Sequence, residues 1–269
     1  MKILVTGAGG FLGQYFAQHL GYEVDACDRH TLDLTNARAV QDRLQSEQYD
    51  AVLHCASAGR NVARVIDNTI ETNNLVGFSN LVSNRHNFGR LINLATGAEF
   101  DVDSNIDQVQ EDAIWTRNPV HSYGRSKNII ARQVQILQNF YNVRIFGCFD
   151  PSEADNRPLK ALTKKCLTGE TFTIPADRQF DMISVKDLQT VILAILTNKI
   201  NDKDVNAVYN TKYYLSEILM TYAKLHNLDP NLIKVLGYDQ NSYTGNGSRL
   251  AGYCLPLQGL EQALTDYQL

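Results

Sequence analysis

Residues Thr6-Gly7-Ala8-Gly9-Gly10-Phe11-Leu12-Gly13 follow directly on an apolar, β-branched run, Lys2 to Thr6. Behind them Phe11, Leu12, Tyr15, Phe16 and Leu20 recur at helical spacing. A strand, a turn with glycines at every third position, and a helix in that order leave few options. The glycines permit a tight turn and close approach of backbone to a bound group, and the helix start offers unpaired N–H donors to an anion. A first strand–turn–helix unit of this build is the phosphate cradle of a dinucleotide.

The rhythm continues for half the chain. Glu23 to Cys27 reads as a second strand, Ala37, Val40 and Leu44 mark a helix, and Ala51 to Cys55 is a third strand. A long helix is expected over Asn68 to Ser83, then strands at Leu91 to Ala95 and Val143 to Phe146. Short strands that are apolar throughout, alternating with helices, form a parallel sheet covered on both faces. The expected fold is α/β: a Rossmann-type doubly wound parallel sheet with a small, partly interleaved C-terminal substrate lobe. Residues 1–150 and about 178–200 are assigned to the dinucleotide domain, and about 151–177 with 201–269 to the lobe.

Among 269 residues the net charge is −4, so no general attraction to nucleic acid or an anionic membrane surface is expected. Apolar runs fall far short of the roughly 20 residues of a membrane helix. The glycine turn comes too early to leave room for a leader peptide, and a cytoplasmic protein is expected. Five scattered cysteines without a CxxC pair, and six histidines without an HExxH cluster, predict neither a disulfide framework nor a metal site.

Two further features carry chemistry. Asp28 ends the second strand, 21 positions after Gly7, where a carboxylate accepts from a ribose 2′-hydroxyl and repels a 2′-phosphate. Arg29 follows and could hold that phosphate, so NAD and NADP both remain open. Tyr123 and Lys127 form a YxxxK pair, neighbours on one helix face. A cation beside a phenol favours the phenolate and fits it for proton exchange near neutral pH. Tyr123, Lys127, Ile130, Val134, Leu137 and Tyr141 share one stripe, which turns Lys127 inward, where a lysine is costly unless it serves something.

With these residues the chain resembles the extended short-chain dehydrogenase/reductase family, in its nucleotide-sugar branch. The resemblance runs from Met1 to about Leu188. It includes TGAGGFLG at Thr6–Gly13, Asp33-Leu34-Thr35, Asn74-Leu75-Val76-Gly77, YGRSK at Tyr123–Lys127, Arg144-Ile145-Phe146-Gly147 and Phe180 to Asp187. It implies a Thr96, Tyr123, Lys127 triad: a hydroxyl on the substrate oxygen, a proton carrier, and a lysine that binds the nicotinamide ribose and tunes the tyrosine. It implies cofactor contacts at Gly7, Gly10, Phe11, Leu12 and Gly13, at the adenine-side pair Asp33 and Leu34, and at Ala56 and Ser57. His121, Arg157, Lys160 and Arg178 become candidates for the nucleotide-sugar substrate. Relatives commonly form homodimers through the Tyr123 helix and the long helix before it.

Departures from the family narrow the reaction. Its 4,6-dehydratases carry Asp-Glu directly after the threonine, where this chain has Gly97-Ala98. Its GDP-fucose synthases have a cysteine where Ala98 stands. The segment Cys27 to Thr35 is most similar to dTDP-4-dehydrorhamnose reductases. These features imply an NAD(P)-dependent reductase of a nucleotide-linked 4-keto-6-deoxy sugar. Alternatives are a 4-epimerase with tightly held NAD, and a non-catalytic dinucleotide-sensing protein.

Overall fold

The computed structural model describes residues 1–59 and 64–269. In chain order the first half supplies β1 (Lys2–Thr6), α1 (Phe11–His19), β2 (Glu23–Cys27), α2 (Ala37–Ser46), β3 (Tyr49–His54), α3 (Asn68–Ser83), β4 (Phe88–Thr96), β5 (Ile106–Val109), α4 (Ser122–Ile136) and β6 (Phe140–Ile145). The second half supplies β7 (Cys148–Phe149), α5 (Pro158–Leu167), β8 (Phe172–Ile174), β9 (Ile183–Ser184), α6 (Val185–Leu196), β10 (Asp204–Asn206), α7 (Leu215–Leu225), β11 (Ile233–Val235), β12 (Tyr243–Gly245), α8 (Ser248–Ala251) and α9 (Leu260–Asp266).

Six strands form one parallel sheet in the order β10-β6-β4-β3-β1-β2. Alternation along each strand divides its side chains between two cores. Ile3, Val5, Ala51, Leu53, Ile92 and Leu94 pack with Phe16 and Leu20 of the α1 unit and with Leu188, Val191, Ile192 and Ile195 of α6. On the opposite face Leu4, Val52, Leu91 and Phe140 meet Val40 and Leu44 of α2, Phe78 and Leu81 of α3, and Ile130 and Val134 of α4. The doubly wound parallel sheet read from the strand spacing is therefore the observed one. Strand order reverses between β1 and β3 while the strands stay parallel, and a ligand crevice opens at the carboxyl ends of strands at such a switch point.

The sixth strand comes from the segment assigned to the lobe. β10 has three residues, two of them Asp204 and Asn206, and all three are buried. A strand with so little apolar character carries no hydrophobic signature; Arg144 of β6 makes its burial possible by hydrogen bonding Asp204 (2.8 Å) and Asn206 (3.1 Å). A third core joins α5, α7 and α9 with Phe149, Ile174 and Ile233. The tail from Asn201 thus serves both bodies. Among the described residues no helix is long and apolar enough to cross a membrane, and no three His, Cys, Asp or Glu side chains are grouped as a metal ion would need.

Glu153, beside Tyr267 of this third core, is buried. Its Oε1 accepts from the Tyr267 hydroxyl (2.9 Å), while Oε2 has no hydrogen-bond partner and Arg157 Nε stands 3.7 Å away. Burial pushes its carboxyl up to about 7. A raised folded-state pKa gives stability that is complete below the unfolded value and lost as pH rises through 7. Glu153→Gln removes that loss, so the difference in Tm should move in the variant's favour, by a few degrees, between pH 5 and pH 8. A difference that does not change with pH would contradict this.

Candidate active site

Above β1 and β3 lies a cleft of about 360 Å³. Gly7, Gly10, Asp28, Arg29, Asp33, Leu34, Ala56, Ser57 and Lys127 all line it, so the structure brings together most of the cofactor residues expected from sequence. The glycine turn is as compressed as its sequence demands. Gly7 has φ +71°, and a Cβ placed on it would stand 2.6 Å from Ala56 Cα. A Cβ on Gly13 would stand 2.1 Å from the Gly7 carbonyl oxygen. Gly10 donates to that same oxygen (2.9 Å) and caps α1. Phe11 and Leu12 do not line the cleft; their side chains pack against the core, which aims the open first turn of α1 at it. Gly13→Val should therefore raise the NAD(P)H dissociation constant at least about tenfold, about 1.4 kcal/mol, measured by quenching or enhancement of cofactor fluorescence. Unchanged affinity would separate the turn from cofactor binding.

Asp28 Oδ1 accepts from the N–H groups of His30 and Thr31 (both 2.9 Å), and these bonds, that from Thr31 first, hold its carboxyl below the usual range. Asp33 is tied in the same way by Thr35 N–H (2.9 Å) and hydroxyl (2.8 Å). Leu34 lies against Gly77 of α3, where an added Cβ would come within 3.1 Å. Asn74 was not among the expected site residues, yet it lines the cleft and clamps it. Its side chain bonds Ala58 N–H (2.7 Å) and C=O (3.1 Å) and donates to Ser126 Oγ (2.9 Å), joining the loop after β3 to α4. A buried asparagine on a helix face is the pattern that marks it. His54 forms the floor: its Nδ1 is 2.9 Å from Thr6 Oγ1, and burial lowers the imidazole to about 3, which keeps it neutral.

The hydroxyl end of the site is built by α4 against the end of β4. A Cβ on Gly124 would stand 2.5 Å from the Ala98 carbonyl oxygen, so only glycine lets the start of α4 come this close. Tyr123 is buried there, packed with Ala98 and Ile70. Thr96 caps a 3-10 turn over Gly97–Phe100: its Oγ1 accepts from Ala98 N–H (3.3 Å), and Glu99 Oε1 accepts from Thr96 N–H (3.2 Å). Lys127, one turn along α4 from Tyr123, is 2% exposed and donates to Leu94 C=O (2.7 Å) and Asn93 Oδ1 (3.4 Å). Burial brings its ammonium down to about 8, opposed by Glu99 and Cys55.

Tyr243, from β12, packs at this end and had no counterpart in the sequence reading. It is buried, and that burial raises the pKa of its phenol. Its Cζ would lie 2.9 Å from a Cβ on Gly97. Its ring stacks on Phe180 (5.5 Å), meets Phe146 edge-on (5.3 Å) and lies under the Arg178 guanidinium (5.3 Å). Arg178, a sequence candidate, thus stands beside the hydroxyl cluster, 3.8 Å from Asp239. His121 caps α4 with Nε2 2.6 Å from Asp103 Oδ2. Arg157 and Lys160 are elsewhere, bonded to the carbonyls of Cys148, Pro151 and Glu153.

A switch-point crevice with a glycine turn, flanking carboxylates and an inward lysine defines a dinucleotide-binding protein of the doubly wound class. The chain belongs to the NAD dependent epimerase/dehydratase family, which matches residues 3–211. It is 27% identical over 252 residues to a GDP-6-deoxy-D-talose 4-dehydrogenase of Aggregatibacter actinomycetemcomitans, covering 85% of this chain and 82% of that protein. It is 26% identical over 186 residues to a UDP-glucose 4-epimerase of Pisum sativum, covering 56% of this chain and 52% of the relative. The fold matches a dTDP-4-dehydrorhamnose reductase of Bacillus anthracis, solved in complex with NADP, with a TM-score of 0.81, 19% identity, and 99% and 96% of the two chains covered. NAD or NADP as the cofactor, expected from sequence, agrees with this membership and with a glycine turn so tight that a Cβ at Gly7 or Gly13 would strike backbone.

Proposed function

We propose that the protein is an NAD(P)-dependent reductase of a nucleotide-linked 4-keto-6-deoxy sugar. One observation carries the reading: Lys127 lines the cofactor cleft, Tyr123 stands one turn before it on α4 against Ala98, and Thr96 ends β4 directly before Gly97 and Ala98, which cannot titrate. The nearest carboxylate in sequence, Glu99, is committed to Thr96 N–H and, at 2.9 Å, to Arg144, so it is not an acid or base for eliminating water. The relative named for dehydrogenation at C4 of a GDP-linked 6-deoxy sugar supports the same carbon, since that reaction in reverse is reduction of a 4-ketone.

When bound, the reduced nicotinamide supplies the hydride to C4. Thr96 O–H hydrogen bonds the ketone oxygen and fixes its direction. Tyr123 O–H gives that oxygen a proton as the C=O bond becomes C–O–H, which balances the addition. Lys127 stays protonated below its value of about 8 and favours the phenolate left on Tyr123. Arg178 and His121 border the substrate side in this reading, with Arg157 capping α5 and Lys160 in its first turn. A homodimer through α3 and α4 belongs to it too, supported by exposed Val76 and Ile136 on those helices.

The test is a panel of GDP-, dTDP- and UDP-linked 4-keto-6-deoxy sugars with NADH or NADPH. One ketosugar should oxidise cofactor in a 1:1 ratio. The similarity to a UDP-glucose 4-epimerase sets the second reading. No cofactor oxidation with any ketosugar, together with C4 inversion of a fully hydroxylated sugar nucleotide, decides for it.

A further inference from the structure

We propose that Asn93 is a positioning residue of the active site: its side-chain oxygen, fixed by Asn142, holds the Lys127 ammonium on the central sheet with one N–H left for the cofactor cleft. The inference deepens the reductase reading and rests on it for the role of the lysine. Paired residues of neighbouring strands share a face of the sheet. One such row runs through Thr6, His54, Asn93 and Asn142, on β1, β3, β4 and β6. All four are buried. A polar row through a core is costly unless its groups find hydrogen-bond partners. Thr6 Oγ1 and His54 Nδ1 bond each other (2.9 Å). The two asparagines are committed to Lys127 and its helix.

Their hydrogen bonds have a direction. Asn142 Nδ2 donates to Ala131 C=O on α4 (3.2 Å), and its Oδ1 accepts from Asn93 Nδ2 (2.8 Å). Asn93 Oδ1 is thereby turned to α4, 3.4 Å from Lys127 Nζ. The ring starts on α4 at Lys127, crosses β4 and β6, and returns to α4 one turn later at Ala131. An ammonium has three donors and no acceptor, and an amide oxygen only accepts. Lys127 gives one N–H to Leu94 C=O (2.7 Å) and one to Asn93, so the third remains for the cleft that the residue lines. Both oxygens favour the charged lysine, against the burial that brings it down to about 8. The titratable groups around it are Glu99, Cys55, His54 and, one turn back on α4, Tyr123. Burial raises the Cys55 thiol and keeps His54 neutral, and Glu99 is paired with Arg144 (2.9 Å). Asn93 adds an acceptor that never titrates.

The test reads NADH and NADPH binding by cofactor fluorescence on the full-length chain, which needs no sugar substrate. Wild-type affinity should weaken as pH rises past about 8, and Lys127→Met should abolish that limb. Asn93→Val should move the limb about one pH unit lower. Asn93→Asp keeps an acceptor of the same size and adds charge, so it should carry the limb above the wild-type position. In Asn93→Val/Asn142→Val both amides are gone and the paired positions become apolar. Stability toward urea should then recover relative to Asn93→Val, while the limb stays low. A limb that survives Lys127→Met, or one that Asn93→Val does not move, overturns the proposal. So does a limb lowered in both single variants, or one restored to the wild-type position in the double variant. A wild type that reduces no ketosugar counts against the reductase reading alone, because the limb is read without turnover.

Discussion

Tyr123→Phe should lower kcat for ketosugar reduction by about 10²- to 10⁴-fold, with cofactor affinity unchanged. The phenol is the only group at this centre assigned to give up a proton, and phenylalanine preserves its packing against Ala98 and Ile70. The pH profile carries the second half of the expectation. Lys127, brought down to about 8 by burial, is a cation at neutral pH and loses its proton above that value. Wild-type kcat should therefore decline as pH rises beyond about 8. Lys127→Met should remove that limb, reduce kcat and weaken cofactor binding, because the same ammonium stands in the cleft. Tyr123→Phe with near wild-type turnover would remove the proton carrier from the scheme and revive the non-catalytic reading.

Arg144→Met should cost about 3–5 kcal/mol of stability, and lower Tm by on the order of 10 °C for a chain of this size. Arg144 is wholly buried and bonded to Glu99 (2.9 Å) and Asp204 (2.8 Å), with Phe100 4.6 Å beneath it. Burial alone pushes both carboxyls up, Asp204 to about 7, even with the guanidinium present. Without it the folded protein must take up protons that the unfolded chain does not hold at neutral pH. Stability then falls as pH rises, so the penalty should be larger at pH 8 than at pH 5. Glu99 also anchors Thr96 N–H, and the variant should lose activity at temperatures where it remains folded. Chemical denaturation at both pH values checks this. A variant within about 1 kcal/mol of wild type at pH 8 would show that the triad contributes little net stability.

Much of the site could be read from local pattern. Gly7, Gly10 and Gly13 follow from one strand–turn–helix, and Tyr123 and Lys127 from one helix repeat, because neighbours in space are there neighbours in sequence. Glu99 and Arg144 were legible as letters but not as partners, since nothing local relates the end of β4 to the middle of β6. Asn74 sat in plain view within a motif, and its clamp onto Ala58 and Ser126 needed the packed pair of α3 and α4. β10 escaped because the pattern sought was apolar, and this strand is buried by charge pairing.

The sequence by itself determined the alternation of strand and helix, the phosphate turn, the inward lysine and the small residues after Thr96. Each of these is a short-range consequence of backbone freedom, side-chain period or residue chemistry. Tertiary structure alone decided that Gly124 seats α4 on the end of β4, that Asp204 returns to the central sheet, and that Tyr243 meets Gly97 from the other end of the chain. Those depend on which surfaces close against each other, a long-range choice made by burial and by the pairing of charges that burial strands.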